Sequence, residues 1–373
     1  MAYASHVDTI MTTYAPMFNG SEFGDNMSEA IQCEIQKPEH LWSPILLAIF
    51  SLFGIVGNLC LLIVILMNPQ LRTAPNAMVL NLTIGDLLYL VISAPFHIEH
   101  DIHPCYQYGA IGCKVLNAGQ VVGMCVCVLS LTAVSGERYM AITRKIRIGK
   151  GRAFCQTAIS MVLIWAISII FATPVFIMAD MMPGVPICLA LPHFELPSKV
   201  YVCVLFLFMY LIPLVLITVF YLKMARVLFR STRSFKGEKQ PGEKQFVMRR
   251  RLAVTILVMS VFFACFWLPY HIYQMWFELS FTLEDIYAGR SFAAINFNRT
   301  FHYFMAFANS CLNPWIVFFM SSKHRQGIIA CCGGNKNPQR EPTTCMATST
   351  SKVRNSTWNE NSSHAQYTEM SAM

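Results

Sequence analysis

The chain has 373 residues, a mass of 42.2 kDa and a formal charge of +8, long enough for two or three soluble domains. Composition excludes them: hydrophobic residues make up 55% and charged residues only 13%, against ~25% charged in an ordinary soluble domain. The same figures exclude disorder, a collagen-like repeat and a small disulfide-stapled scaffold, and the chain reads as an integral membrane protein.

Residues 1–42 form a polar N-terminal tail. No basic segment leads into a short apolar run there, so no cleavable signal peptide is expected. The tail carries Asn19-Gly-Ser and Asn26-Met-Ser, which fit the glycosylation acceptor pattern.

Seven stretches are predicted to cross ~30 Å of hydrocarbon as helices, near residues 43–67, 77–100, 110–143, 154–178, 198–229, 247–278 and 299–320. Ser43 to Met67 contains no ionisable residue. The third stretch has Lys114, Glu137 and Arg138 towards its ends, but Val115 to Gly136 is uncharged and long enough to span. Pro95, Pro174, Pro213, Pro269 and Pro314 lie inside these stretches. Within a bundle, neighbouring groups can re-satisfy the carbonyls that proline frees, leaving kinks or hinges.

Basic residues set the expected orientation. Arg144, Lys145, Arg147, Lys150 and Arg152 follow segment three, and Arg230 to Arg251 supplies a second basic loop before segment six. That side is expected to be cytoplasmic and the N-terminus extracellular. This distribution accounts for the net positive charge without nucleic acid. The opposite face is acidic, with Glu99, Asp101, Asp180, Glu195 and Glu278 among its residues. It reflects either topological sorting or attraction of a cationic ligand.

Many of the 14 cysteines lie inside apolar runs and suit small hydrophobic roles, and no zinc-type spacing occurs. Cys33, Cys105, Cys113 and Cys188 are expected on the oxidising side, where three pairings are open. Cys113 opens segment three and Cys188 sits in the loop before segment five, so these two are expected to bridge the outer mouth. That leaves Cys33 with Cys105.

The order of motifs is specific. Gly57-Asn58 lies in segment one, Leu82 to Asp86 in segment two, and Glu137-Arg138-Tyr139 at the end of segment three. Trp165 follows in segment four, then Pro213 and Tyr221 in segment five. Segment six reads Cys265-Phe-Trp-Leu-Pro-Tyr270 and segment seven Asn309-Ser-Cys-Leu-Asn-Pro314. Over residues 43–332 the chain resembles a rhodopsin-like (class A) G-protein-coupled receptor. Leu71 to Asn76, Asn81 to Asp86, Ala306 to Pro314 and Cys331-Cys332 resemble the bombesin-type and endothelin-type neuropeptide receptors and their invertebrate relatives.

The resemblance implies an all-α membrane protein: a seven-helix bundle over 43–320, an amphipathic helix over 321–332 and a disordered tail over 333–373. It implies a non-enzymatic receptor for an extracellular neuropeptide, coupled to a heterotrimeric G protein of the phospholipase C-linked class at the plasma membrane. Segment seven contains no lysine for a retinal Schiff base, and Gln120 stands where amine receptors carry an aspartate. A transporter or channel is the alternative, but an odd set of seven segments shows no repeat symmetry.

Site residues follow from the same resemblance. Glu137, Arg138, Tyr139, Ile146, Tyr221, Phe263, Trp267, Asn313 and Pro314 are expected to couple and switch, with Arg138 paired to Glu137 at rest. His97, Gln120, Tyr201, Tyr270, Gln274, Phe277, Arg299 and Tyr303 are expected to line a pocket suited to an amidated or aromatic peptide end. Asp86, Asn309 and Asn313, with Asn58 as a further polar partner, mark an allosteric sodium site or, alternatively, a protonated aspartic acid. Cys127 and Gly123 stand where that ion site would be weakened.

One departure is expected to matter: Val317 replaces the tyrosine that relatives place three residues after the segment-seven proline, leaving Tyr221 without its usual partner. Cys331 and Cys332 are expected palmitoylation sites. The Ser- and Thr-rich tail is expected to meet receptor kinases and arrestin.

Overall fold

A computed structural model describes residues 42–102, 106–143, 149–181, 188–192, 195–234, 243–280 and 292–332. Side chains are described for these except at 100, 150, 228–234, 243–249, 252, 292–300 and 330–332. Asn19, Asn26, Cys33, Cys105 and Ile146 lie outside the described residues. Residues 333–373 also lie outside the described residues.

The elements run α1 (Trp42–Met67), a short 3-10 turn (Pro69–Leu71), α2 (Ala74–Ile102), α3 (Gly109–Thr143) and α4 (Lys150–Met178). A two-residue hairpin follows, β1 (Asp180–Met181) pairing antiparallel with β2 (Cys188–Leu189), Met181 opposite Cys188. Next comes α5 in three continuous pieces, Leu196–Phe206, the π-helical turn Leu207–Leu211 and Ile212–Ser234. The last are α6 (Glu243–Ser280), α7 (Phe292–Met320) and α8 (Ser322–Cys332).

The first seven helices are long and apolar enough to cross a membrane. Among them α3 is the most enclosed, with 67% of its most apolar window buried against 22% for α4. Helix α2 begins at Ala74 rather than 77, because Pro75 sits in the first turn, where its missing N–H has no helical partner to lose. Helix α7 begins at Phe292 rather than 299.

Each interior proline deprives a carbonyl four residues earlier of its amide partner, and at Pro314 a cross-helix side chain answers this. Pro314 frees the carbonyl of Ser310, and Asn58 Nδ2 on α1 donates to that oxygen at 3.0 Å while also donating to the Gly54 carbonyl at 2.9 Å. Asn58 is fully buried. Its job is backbone repair of α7 rather than the expected contact with Asp86. Ahead of Pro213, α5 loosens into its π turn, where the Ile212 amide donates to the Leu207 carbonyl. Near Pro269, Tyr210 Oη donates to the Ala264 carbonyl at 2.8 Å, joining α5 to α6.

Asn58→Ala is expected to strip the buried Ser310 carbonyl of its partner, costing about 1–3 kcal/mol. Thermal unfolding of the purified protein should show a clear drop in midpoint. An unchanged midpoint would mean that another group takes over the carbonyl.

Packing elsewhere relies on small residues and buried amides. A Cβ on Gly123 would stand 2.9 Å from the Tyr89 amide nitrogen, so α2 and α3 touch backbone to backbone there. Asn81 is buried, accepts from Trp165 Nε1 at 3.0 Å and donates to Ser130 Oγ at 2.8 Å, tying α2, α3 and α4 together. Helix α8 lies against α1: a Cβ on Gly327 would meet Val64 Cγ1 at 2.7 Å. Burial of His324 in α8 lowers its imidazole to about 4, so it stays neutral at physiological pH.

Candidate functional site

Three centres stack along the bundle between the disulfide end and the basic end. At the first, Cys113 and Cys188 are joined with Cα atoms 5.6 Å apart, fastening β2 over the start of α3. One turn further along α3, Asn117 Nδ2 lies 3.1 Å from Cys188 Sγ. Beneath this roof is a cavity of about 100 Å³.

Gln120, Tyr201, Tyr270, Gln274 and Tyr303 line the cavity, five of the eight residues expected there. Gln120 Nε2 is buried without a hydrogen-bond partner, leaving an amide donor ready for an incoming carbonyl. Gln274 Nε2 reaches Tyr270 Oη at 3.4 Å, and Tyr201 Oη donates to the Phe171 carbonyl at 2.8 Å. His97 stands behind the wall, its ring centroid 3.8 Å from that of Tyr303. Phe277 stacks on Tyr273 at 5.8 Å away from the lining. Arg299 lies in α7, with its side chain outside the described ones.

Sequence reasoning missed Asn117, Met124, Leu191 and Tyr89 in the lining. Asn117 carried a usable signal, since it follows Cys113 by four residues on one helix face. Leu191 carried none, because only the hairpin sets its position. Three of the described acids expected on this face are buried or hydrogen-bonded. Glu278 is 2% exposed, Glu99 accepts from the Gln107 amide at 3.1 Å, and Asp101 accepts from Ser43 Oγ at 2.7 Å.

Trp267 closes the floor of the cavity with 1% exposure. Its ring meets Tyr89 at 5.8 Å and Tyr270 at 5.4 Å, and Tyr89 meets Phe307 at 5.4 Å. Phe263, also 1% exposed, packs against Tyr210 at 5.8 Å. Aromatic pairs at these separations prefer a few discrete arrangements, so a push on the floor reaches α2, α5 and α7 through rings.

The second centre is Asp86, fully buried in mid-bundle. Asn313 Nδ2 donates to its Oδ2 at 2.9 Å and Cys127 Sγ to its Oδ1 at 3.1 Å. Both carboxylate oxygens therefore already accept. Asn309 makes no contact with Asp86 of this kind; it is buried with its Oδ1 unpartnered. A sodium ion, like other hard cations, asks for several oxygen ligands. In this arrangement a thiol and the NH₂ of Asn313 point at the carboxylate, while Asn58 Oδ1 and Asn309 Oδ1 are buried without partners among the described residues. Asp86 thereby joins α2, α3 and α7.

The third centre lies at the basic end. Arg138 is only 5% exposed and its Nε is buried without a partner. Among the described residues no ion pair joins it to Glu137, contrary to expectation. Glu137 Oε1 accepts from Thr157 Oγ1 at 2.9 Å, turned towards α4. Tyr139 stacks on Phe220 at 5.4 Å, with Lys223 Nζ 5.8 Å from the ring. Tyr221 Oη is buried, with the hydroxyls of Ser135 and Ser260 and the Arg138 guanidinium around it. Val317 is 4% exposed.

Relative to Val317→Phe, Val317→Tyr is expected to raise basal or agonist-driven nucleotide exchange about two- to tenfold, the worth of one hydrogen bond of about 0.5–1.5 kcal/mol. Both variants should be less thermostable than wild type, since a ring replaces a buried isopropyl group. Equal exchange by the two at matched surface expression would remove the hydroxyl from the account.

Residues 57–316 match the family described as "7 transmembrane receptor (rhodopsin family)". This chain belongs to the rhodopsin family of seven-transmembrane receptors. The receptor is 32% identical over 369 residues to the neuropeptide CCHamide-1 receptor of Drosophila melanogaster, covering 92% of this chain and 73% of that one. It is 31% identical over 314 residues to the bombesin receptor subtype-3 of Ovis aries, covering 78% and 75% respectively. The family is not enzymatic.

Proposed function

We propose that this receptor sits in the plasma membrane with its N-terminus outside, binds an extracellular neuropeptide of the bombesin and CCHamide kind, and activates a phospholipase C-linked G protein. The observation that carries the reading is the cavity beneath the Cys113–Cys188 bridge. At about 100 Å³ it falls well below the ~300–1,000 Å³ of small-molecule pockets. It suits the tip of a larger ligand, and its amide and tyrosine lining suits a peptide end, amidated or aromatic. The floor is Trp267, so an inserted tip presses directly on the aromatic core.

In this reading Gln120, Gln274, Tyr270 and Tyr303 hold the peptide end, with Phe277 and Arg299 meeting parts nearer the mouth. Cys33–Cys105 ties the tail to the first outer loop, and Asn19 and Asn26 carry glycans. Arg138, Tyr139, Ile146 and Tyr221 meet the G protein. Helix α8 lies on the inner membrane surface, anchored by palmitate on Cys331 and Cys332, and the tail serves receptor kinases and arrestin. The relatives' printed names and the basic residues at the Arg138 end support peptide recognition outside and coupling inside.

The test is calcium release in cells expressing the receptor, challenged with neuropeptides that include C-terminally amidated ones. A saturable response absent from untransfected cells is expected. No response from a surface-expressed receptor to any peptide, alongside a response to an amine or lipid, would overturn it.

A further inference from the structure

Helix α4 carries four hydroxyl side chains, and three of them follow the ordinary habit of serine and threonine in a helix interior. Ser160, Ser168 and Thr173 each donate to the carbonyl four residues earlier, at 2.8–3.0 Å. Thr157 is the exception. Its Oγ1 turns away from its own helix and donates to Glu137 Oε1 on α3 at 2.9 Å. Thr157 is 2% exposed, so this contact lies in the packed seam between the two helices. Two turns further along α4, Trp165 Nε1 donates to Asn81 Oδ1 at 3.0 Å and fixes the register of α4 against its neighbours.

A single hydroxyl is a weak holder for a carboxylate that has a guanidinium next to it. Arg138 follows Glu137 directly, is buried, and its Nε has no hydrogen-bond partner among the described residues. An ion pair would satisfy more of both groups than one hydroxyl does. Glu137 nevertheless spends Oε1 on Thr157, while its Oε2 is buried without a partner among the described residues. Adjacent side chains on a helix diverge by about 100°, so Glu137 faces the α4 seam and Arg138 faces Tyr221. Without the Thr157 hydroxyl both carboxylate oxygens would be buried and unanswered in that seam. Turning towards the guanidinium removes that cost.

We propose that Thr157 is a positioning residue for coupling: it latches Glu137 to α4 and so keeps the Arg138 guanidinium open to the acceptors of a docked G protein. The consequence for coupling rests on Arg138 meeting the G protein, as proposed for the basic end of the bundle. Thr157 acts through Glu137 and not by touching the partner.

The test uses the full-length receptor. Thr157→Val and Thr157→Ala delete the hydroxyl, and Thr157→Ser keeps it. The first measurement needs neither peptide nor G protein: a double-mutant cycle of Glu137→Gln and Arg138→Gln on the thermal midpoint. In the Thr157→Val background the pair should depart from additivity by about 2 °C more than with threonine in place. The second is basal nucleotide exchange, at matched amounts of folded receptor, on whichever purified G protein the wild type turns over fastest. Thr157→Val and Thr157→Ala should lower it about tenfold, and Thr157→Ser should stay within about twofold of wild type. Ser168→Ala, which removes a back-bonded hydroxyl of the same helix, should also stay within about twofold. Adding Glu137→Gln to Thr157→Val should restore exchange, because no carboxylate is left to close on Arg138. No added departure from additivity would overturn the latch. So would an equal loss in Thr157→Ser, or a loss that Glu137→Gln does not reverse, since a merely disturbed seam would give either. A departure from additivity with exchange undiminished would confirm the latch and take Arg138 out of the coupling surface, so the two readings fail separately.

Discussion

Arg138→Ala is expected to abolish agonist-stimulated nucleotide exchange while leaving peptide affinity within about threefold of wild type, a shift of less than 1 kcal/mol. The expectation comes from how the guanidinium is held. It is nearly buried, its Nε has no partner among the described residues, and Glu137, the adjacent counter-charge, spends one carboxylate oxygen on Thr157 and acts on Arg138 without a direct ion pair. A buried cation with an open donor is costly until acceptors reach it. Each hydrogen bond to a charged group is worth about 1.5–3 kcal/mol, so two carbonyls from a docked partner would account for several orders of magnitude in coupling. The cavity lies at the far end of the bundle and should be spared. Substantial exchange by a well-expressed Arg138→Ala receptor would remove this residue from the coupling surface.

Cys113→Ser is expected to eliminate measurable peptide binding. The bridge closes a 75-residue loop, and losing a native disulfide costs about 2–5 kcal/mol in small domains. Here the cost falls locally, because the bridge fastens β2 covalently to α3 and Leu191 is carried with it. Asn117 would lose its contact with Cys188 as well. Cys188→Ser should match Cys113→Ser, and the double variant should be no worse, since all three remove one bond. Binding and surface labelling measured together decide the matter. Unchanged affinity in either single variant at the surface would show that the roof holds without the bridge.

The seven crossings were legible because apolar length is a local property, and so were α8 and the Cys113–Cys188 pair. Gln120, Tyr201, Tyr270, Gln274 and Tyr303 were legible through a motif pattern that places them on inward faces. Partners were not. Asn58 and Asp86 both read as buried polar groups that should seek each other. In the structure Asn58 meets the carbonyl vacated by Pro314, a need created by backbone chemistry on another helix. Glu137 and Arg138 are adjacent in sequence, yet adjacent residues on a helix point about 100° apart, and Thr157 lies where Glu137 points. Gly123 looked like a missing ligand and is a point of backbone contact.

The π turn at Leu207–Leu211 separates length from rotational phase in α5. Leu205, Met209, Pro213 and Ile217 are all buried, in successive steps of four. In an unbroken α-helix three such steps would turn the inward face by about 120°. The π turn absorbs one residue, which reduces the turn to about 20°. Tyr201 can therefore line the cavity while Ile217 and Tyr221, about one and two turns beyond Pro213, still point into the bundle. Deleting one residue within 207–211 is expected to yield a plain α-helix with both faces kept, and near-normal surface expression. Deleting one between 214 and 220 should rotate everything downstream by about 100° and abolish expression. The π turn is the place along α5 where the loss of one residue is expected to leave both faces in register.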